Sequence, residues 1–221
     1  RAAPDDRVLL VLIGHGSFRG SEANFNIPGR DLSAAEYGAL LDALATSKVA
    51  VVNTASASGP FTELLAAPGR TIITATASGS ERNETQFGQY FAAAWEDDEA
   101  DLDKNGAVSL LEAFQYARRE TERFYDDANL LLTEHALLED DGDGEGSREP
   151  GMDATDGALA AGFTLSAPGA RGAVTADGAV SPIPATTDSV LARLYAERAD
   201  LERRVATLRS NQGSMDPADY D

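Results

Sequence analysis

A histidine, a serine and a string of spaced oxygen donors are the residues of this chain best suited to chemistry. His15 follows the apolar run Val8 to Ile13 in Gly14-His15-Gly16-Ser17. Ser56 follows a second run, Val49 to Val52, in Asn53-Thr54-Ala55-Ser56-Ala57-Ser58-Gly59. An imidazole beside a hydroxyl pairs a general base with a nucleophile. An alcohol is almost never ionised near neutrality, so the pair needs strong base assistance and donors for an oxyanion. The backbone N–H groups near Gly16 and Ser56 are the natural donors. Glu22, Asp31 and Glu63 are the acidic residues near enough in sequence to orient His15, and nothing in the sequence selects one. Taken alone, Asn53 to Gly59 reads as a small-residue turn between strand and helix. Its joint placement with His15 favours the functional reading.

The oxygen donors lie at Asp101-Leu102-Asp103-Lys104-Asn105-Gly106-Ala107-Val108-Ser109-Leu110-Leu111-Glu112, which fits the twelve-position EF-hand loop throughout. Asp101, Asp103 and Asn105 supply side-chain oxygens, Gly106 the sharp turn and Ala107 its carbonyl. Ser109 acts directly or through water, and Glu112 supplies the bidentate carboxylate. The expected ion is Ca2+, bracing the domain rather than sensing calcium. The competing reading is an acidic helix N-cap, which requires neither Gly106 nor Glu112. A second acidic loop, Asp140 to Gly146, carries donors too, but its twelfth position counted from Asp141 is Met152. A metal site and a flexible acidic loop both remain open there. His135, beside Glu134, reads as a surface or capping residue.

These residues need elements to place them. The two apolar runs read as buried strands of a parallel sheet, covered on both faces. Between them Ser33-Ala34-Ala35-Glu36 is a capping box, Leu32 and Tyr37 fit a hydrophobic staple, and Tyr37, Leu40, Leu41 and Leu44 repeat at helical spacing. Strand, helix, strand with a right-handed crossover makes the strands parallel, so His15 and Ser56 emerge at one carboxyl edge, where ligands collect in open α/β sheets. A short helix over Pro60 to Leu65 and a third strand over Thr71 to Thr76 follow. Asn83 with Gln86 suggests a second capping box, opening a helix from Phe87 to Glu99 whose aromatic stripe belongs to the core. Another helix runs from Leu110 to about Leu132, and Ala158 to Leu165 adds a short strand or helix. Residues 166–188, rich in Gly, Ala and Pro, form a linker, and 189–221 hold an amphipathic helix and tail. The helix over 189–209 is suited to packing on the domain or associating with a partner.

A strand ending in His-Gly, a helical crossover and a strand ending in Ala55-Ser56-Ala57-Ser58-Gly59 resemble the legumain-like and caspase-like cysteine peptidases over roughly residues 8–95. The separation of His15 and Ser56, 41 residues, suits the legumain-like members. The resemblance implies a caspase/legumain-like α/β fold over 1–165 with the EF-hand-like loop inserted. It also implies a catalytic role for the positions of His15 and Ser56, with Gly16 in the oxyanion hole. The loop after the third strand then shapes the specificity pocket, which makes Ser78, Ser80, Glu84 and Thr85 the expected substrate-binding residues; a solvated loop is the alternative. Ser56 stands where the family keeps cysteine, and the chain contains no cysteine. The expected function is therefore a catalytically degenerate, peptidase-derived domain that binds a peptide or protein. A Ser56–His15 hydrolase and a structural calcium-braced domain are the alternatives. The family's sheet begins with strands upstream of the His-bearing one, and Arg1 to Arg7 runs straight into a strand without an initiating Met, which reads as a fragment or processed chain.

Composition narrows the partners. With 221 residues, 43% of them hydrophobic, the chain can bury a real core, and a net charge of −19 argues against nucleic acid and favours divalent cations or basic partners. No apolar run approaches the length of a membrane span, and no signal peptide stands at Arg1. Location is left open, with an extracytoplasmic setting, secreted or periplasmic, favoured.

Overall fold

The computed structural model describes residues 2–152, 154–165, 193 and 197. The chain divides into two compact units, residues 1–102 with 108–165, and residues 103–107 with 166–221. The linker 166–188 lies outside the described residues, as does the tail helix over 189–209 apart from Arg193 and Glu197, which are helical.

The first unit begins with β1 (Val8–Leu12), then a three-stranded antiparallel sheet of β2 (Gly16–Arg19), β3 (Glu22–Phe25) and β4 (Leu32–Ser33). Helix α1 (Ala34–Asp42) leads to β5 (Val49–Asn53), and α2 (Phe61–Leu65) to β6 (Arg70–Thr74). There follow α3 (Phe87–Ala93), β7 (Val108–Ser109), α4 (Leu110–Asp127), β8 (Leu137–Glu139), α5 (Ala158–Gly162) and β9 (Thr164–Leu165). The central sheet has the order β1-β5-β6-β8, with the first three strands parallel and β8 antiparallel, so the fold is mixed α/β around a mostly parallel sheet.

Strand periodicity builds the two cores. Val49, Val51 and Ile72 point to one face and join Tyr37 and Leu41 of α1 with Phe61 and Leu65 of α2. Ala50, Val52 and Ile73 point to the other and join Phe87 and Phe91 of α3, Phe114 of α4 and Ala160 of α5. All five residues of β5 and of β6 are buried. Each large aliphatic side chain enclosed in this way contributes about 1.5–3 kcal/mol.

The predicted capping box at α1 is present in full: the Glu36 N–H donates to Ser33 Oγ, and the Ser33 N–H to Glu36 Oε2. Five expectations about these elements need correction. β1 is not covered on both faces; it is the edge strand, with Val11 40% and Ile13 79% exposed. More than one helix separates β1 from β5, because Gly20, at φ 63°, turns Gly16–Arg19 back on Glu22–Phe25 as a hairpin. Leu40 is 60% exposed rather than part of the core face of α1. Helix α3 ends at Ala93 instead of Glu99, where the Asp97 carboxylate accepts from the Glu99 N–H and the Tyr116 hydroxyl and holds a turn. The next helix, α4, stops at Asp127 because Asn129, at φ 51°, closes it: the Asn129 N–H donates to Asp126 O and the Leu130 N–H to Tyr125 O.

Candidate functional site

The parallel register places Leu12 opposite Asn53, so β1 and β5 end together. Beyond those ends the Thr54 N–H donates to Leu12 O at 3.0 Å, and the chain opens into a cleft lined by His15, Thr54, Ser56, Glu84 and Thr85 among others. Of the expected substrate-binding residues, Glu84 and Thr85 line this cleft. Ser78 and Ser80 instead hydrogen-bond each other at 2.7 Å on the exposed loop after β6.

His15 and Ser56 share the cleft, but their side chains are engaged differently. Ser56 is 8% exposed, and its hydroxyl donates to Gly16 O at 3.5 Å. His15 is exposed, and its ring forms no hydrogen bond among the described residues. None of the acidic residues near it in sequence bonds the ring: Asp31 accepts from the Ile27 N–H, and Glu22 and Glu63 are exposed. The Asn26 N–H donates to His15 O, so Gly16 and Phe25 face each other as a non-hydrogen-bonded pair and the Gly16 N–H is not taken up by β3. Gly16 has to be glycine: a Cβ there would lie 2.2 Å from Ser56 O.

The segment carrying Ser56 is held tightly. Ala57 has the left-handed φ of 54°, a strained value for a residue with a Cβ, and its N–H donates to Glu81 O at 2.7 Å. The Ser58 hydroxyl and Thr76 hydroxyl bond each other at 3.1 Å, and the Gly59 N–H donates to Thr76 Oγ1. Glu81 accepts from the Ala77 and His135 N–H groups through Oε2 and pairs with His135 Nδ1 through Oε1 at 2.8 Å. His135 is thus a half-buried brace rather than a surface residue.

Glu134, next to it, is the most consequential residue that sequence reasoning passed over. No side chain of Gln86 or Asn83 caps α3. The buried Glu134 carboxylate does so from 48 residues away, accepting the Gln86 N–H at 2.7 Å and the Phe87 N–H at 3.1 Å, along with the Tyr125 hydroxyl. Burial pushes its pKa above the ordinary value, against the lowering effect of those hydrogen bonds.

Within the first unit one group of carboxylates among the described residues is able to hold a metal ion, Glu139 with Asp141 and Asp143. Within residues 103–107 the Asn105 N–H donates to Asp103 Oδ1, the Ala107 N–H to Asn105 Oδ1, and Gly106 has φ 87°, as the sixth position of such a loop requires. In the first unit Ser109 is the N-cap of α4, its N–H and hydroxyl both donating to Glu112 Oε2, while Glu112 Oε1 accepts the Leu102 N–H at 3.0 Å. The acidic-cap reading and two of the loop's expected ligand positions therefore fall on the same two residues, Ser109 and Glu112. β7 pairs with β9, Val108 opposite Leu165, so the chain itself steadies this end of the loop. No helix among the described residues is long and apolar enough to cross a membrane. No protein-family model matches the chain, and neither does any curated protein.

Proposed function

We propose that the chain is a peptidase-derived module, similar in layout to the legumain-like and caspase-like peptidases, in which Ser56 occupies the place of the nucleophile and the cleft binds a peptide without cleaving it. The observation that carries this reading is the hydrogen bonding of Ser56. Its hydroxyl is turned to the Gly16 carbonyl, and no carboxylate among the described residues orients the exposed His15 ring. A nucleophilic alcohol needs the reverse arrangement, a base accepting its proton and a third group fixing the base. Peptide recognition needs only the cleft, the Gly16 N–H left over by the strand register, and polar walls at Glu84 and Thr85. Glu84 and the net charge of −19 select a basic peptide.

Calcium is the expected structural ion of the loop 101–112, since its donors are all hard oxygens and the sixth-position glycine has the required backbone. The ion neutralises the carboxylates and supplies no catalytic step.

A fluorophosphonate probe together with a fluorescent lysine-rich peptide tests the reading. Expected are no labelling at Ser56 and saturable peptide binding that Glu84→Lys weakens about three- to tenfold, roughly the effect of reversing one exposed charge beside a bound cation. Labelling that Ser56→Ala abolishes would establish the hydrolase instead. Binding indifferent to Glu84→Lys would remove the cleft from the account.

A further inference from the structure

The second acidic loop, away from the Ser56 cleft, contains a feature that packing alone does not explain. Glu139 is the last residue of β8, buried between β6 and the loop that follows, and is 0% exposed. Its Oε1 accepts the Gly142 N–H at 2.6 Å and the Gly144 N–H at 3.5 Å, but its Oε2 is buried with no hydrogen-bond partner among the described residues. An unpaired buried carboxylate oxygen costs several kcal/mol of lost hydration, so such atoms usually mark a missing proton or a missing ion.

The surroundings select the ion. One carboxylate oxygen from each of Glu139, Asp141 and Asp143 lies within 4.8 Å of the others, and Asp141 and Asp143 are exposed while Glu139 is enclosed. The group therefore has a closed end and an open end through which a cation can enter. The loop is shaped for this. Gly142 at φ 90° and Gly144 at φ 83° turn the chain over the Glu139 carboxylate, with their N–H groups on Oε1. Asp140, between Glu139 and Asp141, is committed elsewhere: it accepts the Gly157 and Ala160 N–H groups at the start of α5, and its own N–H donates to Asp156. Of three consecutive acidic residues, the middle one serves the fold and its two neighbours face the loop.

We infer that Glu139, Asp141 and Asp143 form a second cation site, taking a hard divalent ion of the calcium type that completes the coordination of Glu139 Oε2. Three carboxylates and no nitrogen or sulfur donor suit calcium, and its tolerance of irregular geometry lets water and carbonyl oxygens fill the remaining positions. The missing twelfth-position carboxylate is no obstacle, because Glu139, two residues before Asp141, supplies the buried ligand from the strand end.

The test uses the full chain carrying Glu112→Gln, which weakens the first loop; the amide oxygen keeps the Ser109 cap while the Leu102 N–H loses its acceptor, so every further comparison is made against this variant. Calcium is titrated calorimetrically, and melting is followed with calcium and with chelator. The expected result is one remaining ion per chain and a melting temperature raised by roughly 5–10 °C at a hundredfold excess over Kd. Adding Asp141→Asn and Asp143→Asn, both at exposed positions, should abolish heat and shift while the chelated protein melts as before. The inference is overturned if Glu112→Gln alone eliminates all calcium binding up to about 10 mM, beyond the weakest sites of this kind. It is equally overturned if the response survives the two Asn substitutions. Neither result depends on whether Ser56 reacts or the cleft binds peptide.

Discussion

Substituting Gly16 by alanine tests the geometry of the cleft without reference to activity. The added Cβ would lie 2.2 Å from Ser56 O, with Ala55 Cβ and Asn24 O each at 3.4 Å on its other sides. A carbon rests against a carbonyl oxygen at about 3.3 Å or more, so β2 must retreat by about 1 Å from the segment carrying Ser56. Neither side yields cheaply. Gly16 is tied to β3 through Asn26 and Phe25, and Ser56 precedes Ala57, whose N–H is fixed to Glu81 O. Overpacking of this kind costs about 1–3 kcal/mol, and at about 2–4 °C per kcal/mol for a chain of this length the melting temperature should fall by roughly 3–10 °C. Gly162→Ala is the control: nothing among the described residues lies within 4 Å of its Cβ, and it should change stability by no more than about 0.5 kcal/mol. Both variants are melted by circular dichroism at one fixed calcium concentration. If Gly16→Ala melts within about 1 °C of the native chain, β2 does not approach Ser56 as closely as described, and the shared cleft of His15 and Ser56 loses its foundation.

Glu134→Gln keeps one acceptor oxygen but turns an amide donor toward the N–H groups at the start of α3, so it should cost about 1–3 kcal/mol. Because burial raises the Glu134 pKa, the stability this carboxyl contributes is fully present below 4.5 and is lost as pH rises through its raised folded value; the gap between native and variant in urea midpoints should therefore be widest at the acid end, and a gap that widens with pH contradicts the assignment. Tyr116→Phe removes the 2.6 Å hydrogen bond to Asp97 and should cost about 1.5 kcal/mol; in spectrophotometric titration it should delete the one tyrosine whose ionisation that carboxylate pushes up to about 12. An unchanged high-pH titration in the variant would show that Asp97 does not hold the phenol.

The parts of the fold that were legible in the sequence are those whose determinants lie close together along the chain. Val49 to Val52 specifies a buried strand by composition alone, and Ser33 with Glu36 specifies where α1 starts, because both partners of the cap fall within one turn. Gly106 to Glu112 was legible for the same reason. What escaped was decided at a distance. The start of α3 looked like an Asn83–Gln86 box, whereas its cap comes from Glu134. The hairpin Gly16–Phe25 was hidden because its strands are short and polar, and the edge position of β1 is a property of the sheet order, which no apolar run encodes. Glu139 carries no local mark of its burial; it becomes conspicuous only once β8 is seen to lie against β6.

The hydroxyls around the cleft explain why a change of nucleophile alone is a poor route to activity. Thr54 Oγ1 donates to Leu12 O at 3.0 Å, Ser58 is bonded to Thr76, and Thr85 Oγ1 donates to Thr54 O, so each of these fixes backbone. Ser56 has the longest of these bonds, 3.5 Å, and is the hydroxyl most easily turned toward a ligand. The base is not fixed to match, since the His15 ring is exposed and accepts or donates no hydrogen bond among the described residues. Ser56→Cys lowers the cost of forming the anion, because a thiol ionises within reach of an imidazole and an alcohol does not. It leaves the orientation of His15 untouched, and effective positioning is worth more than the intrinsic reactivity of either partner. Turnover at this cleft would therefore require a group that fixes the imidazole before it required a better nucleophile.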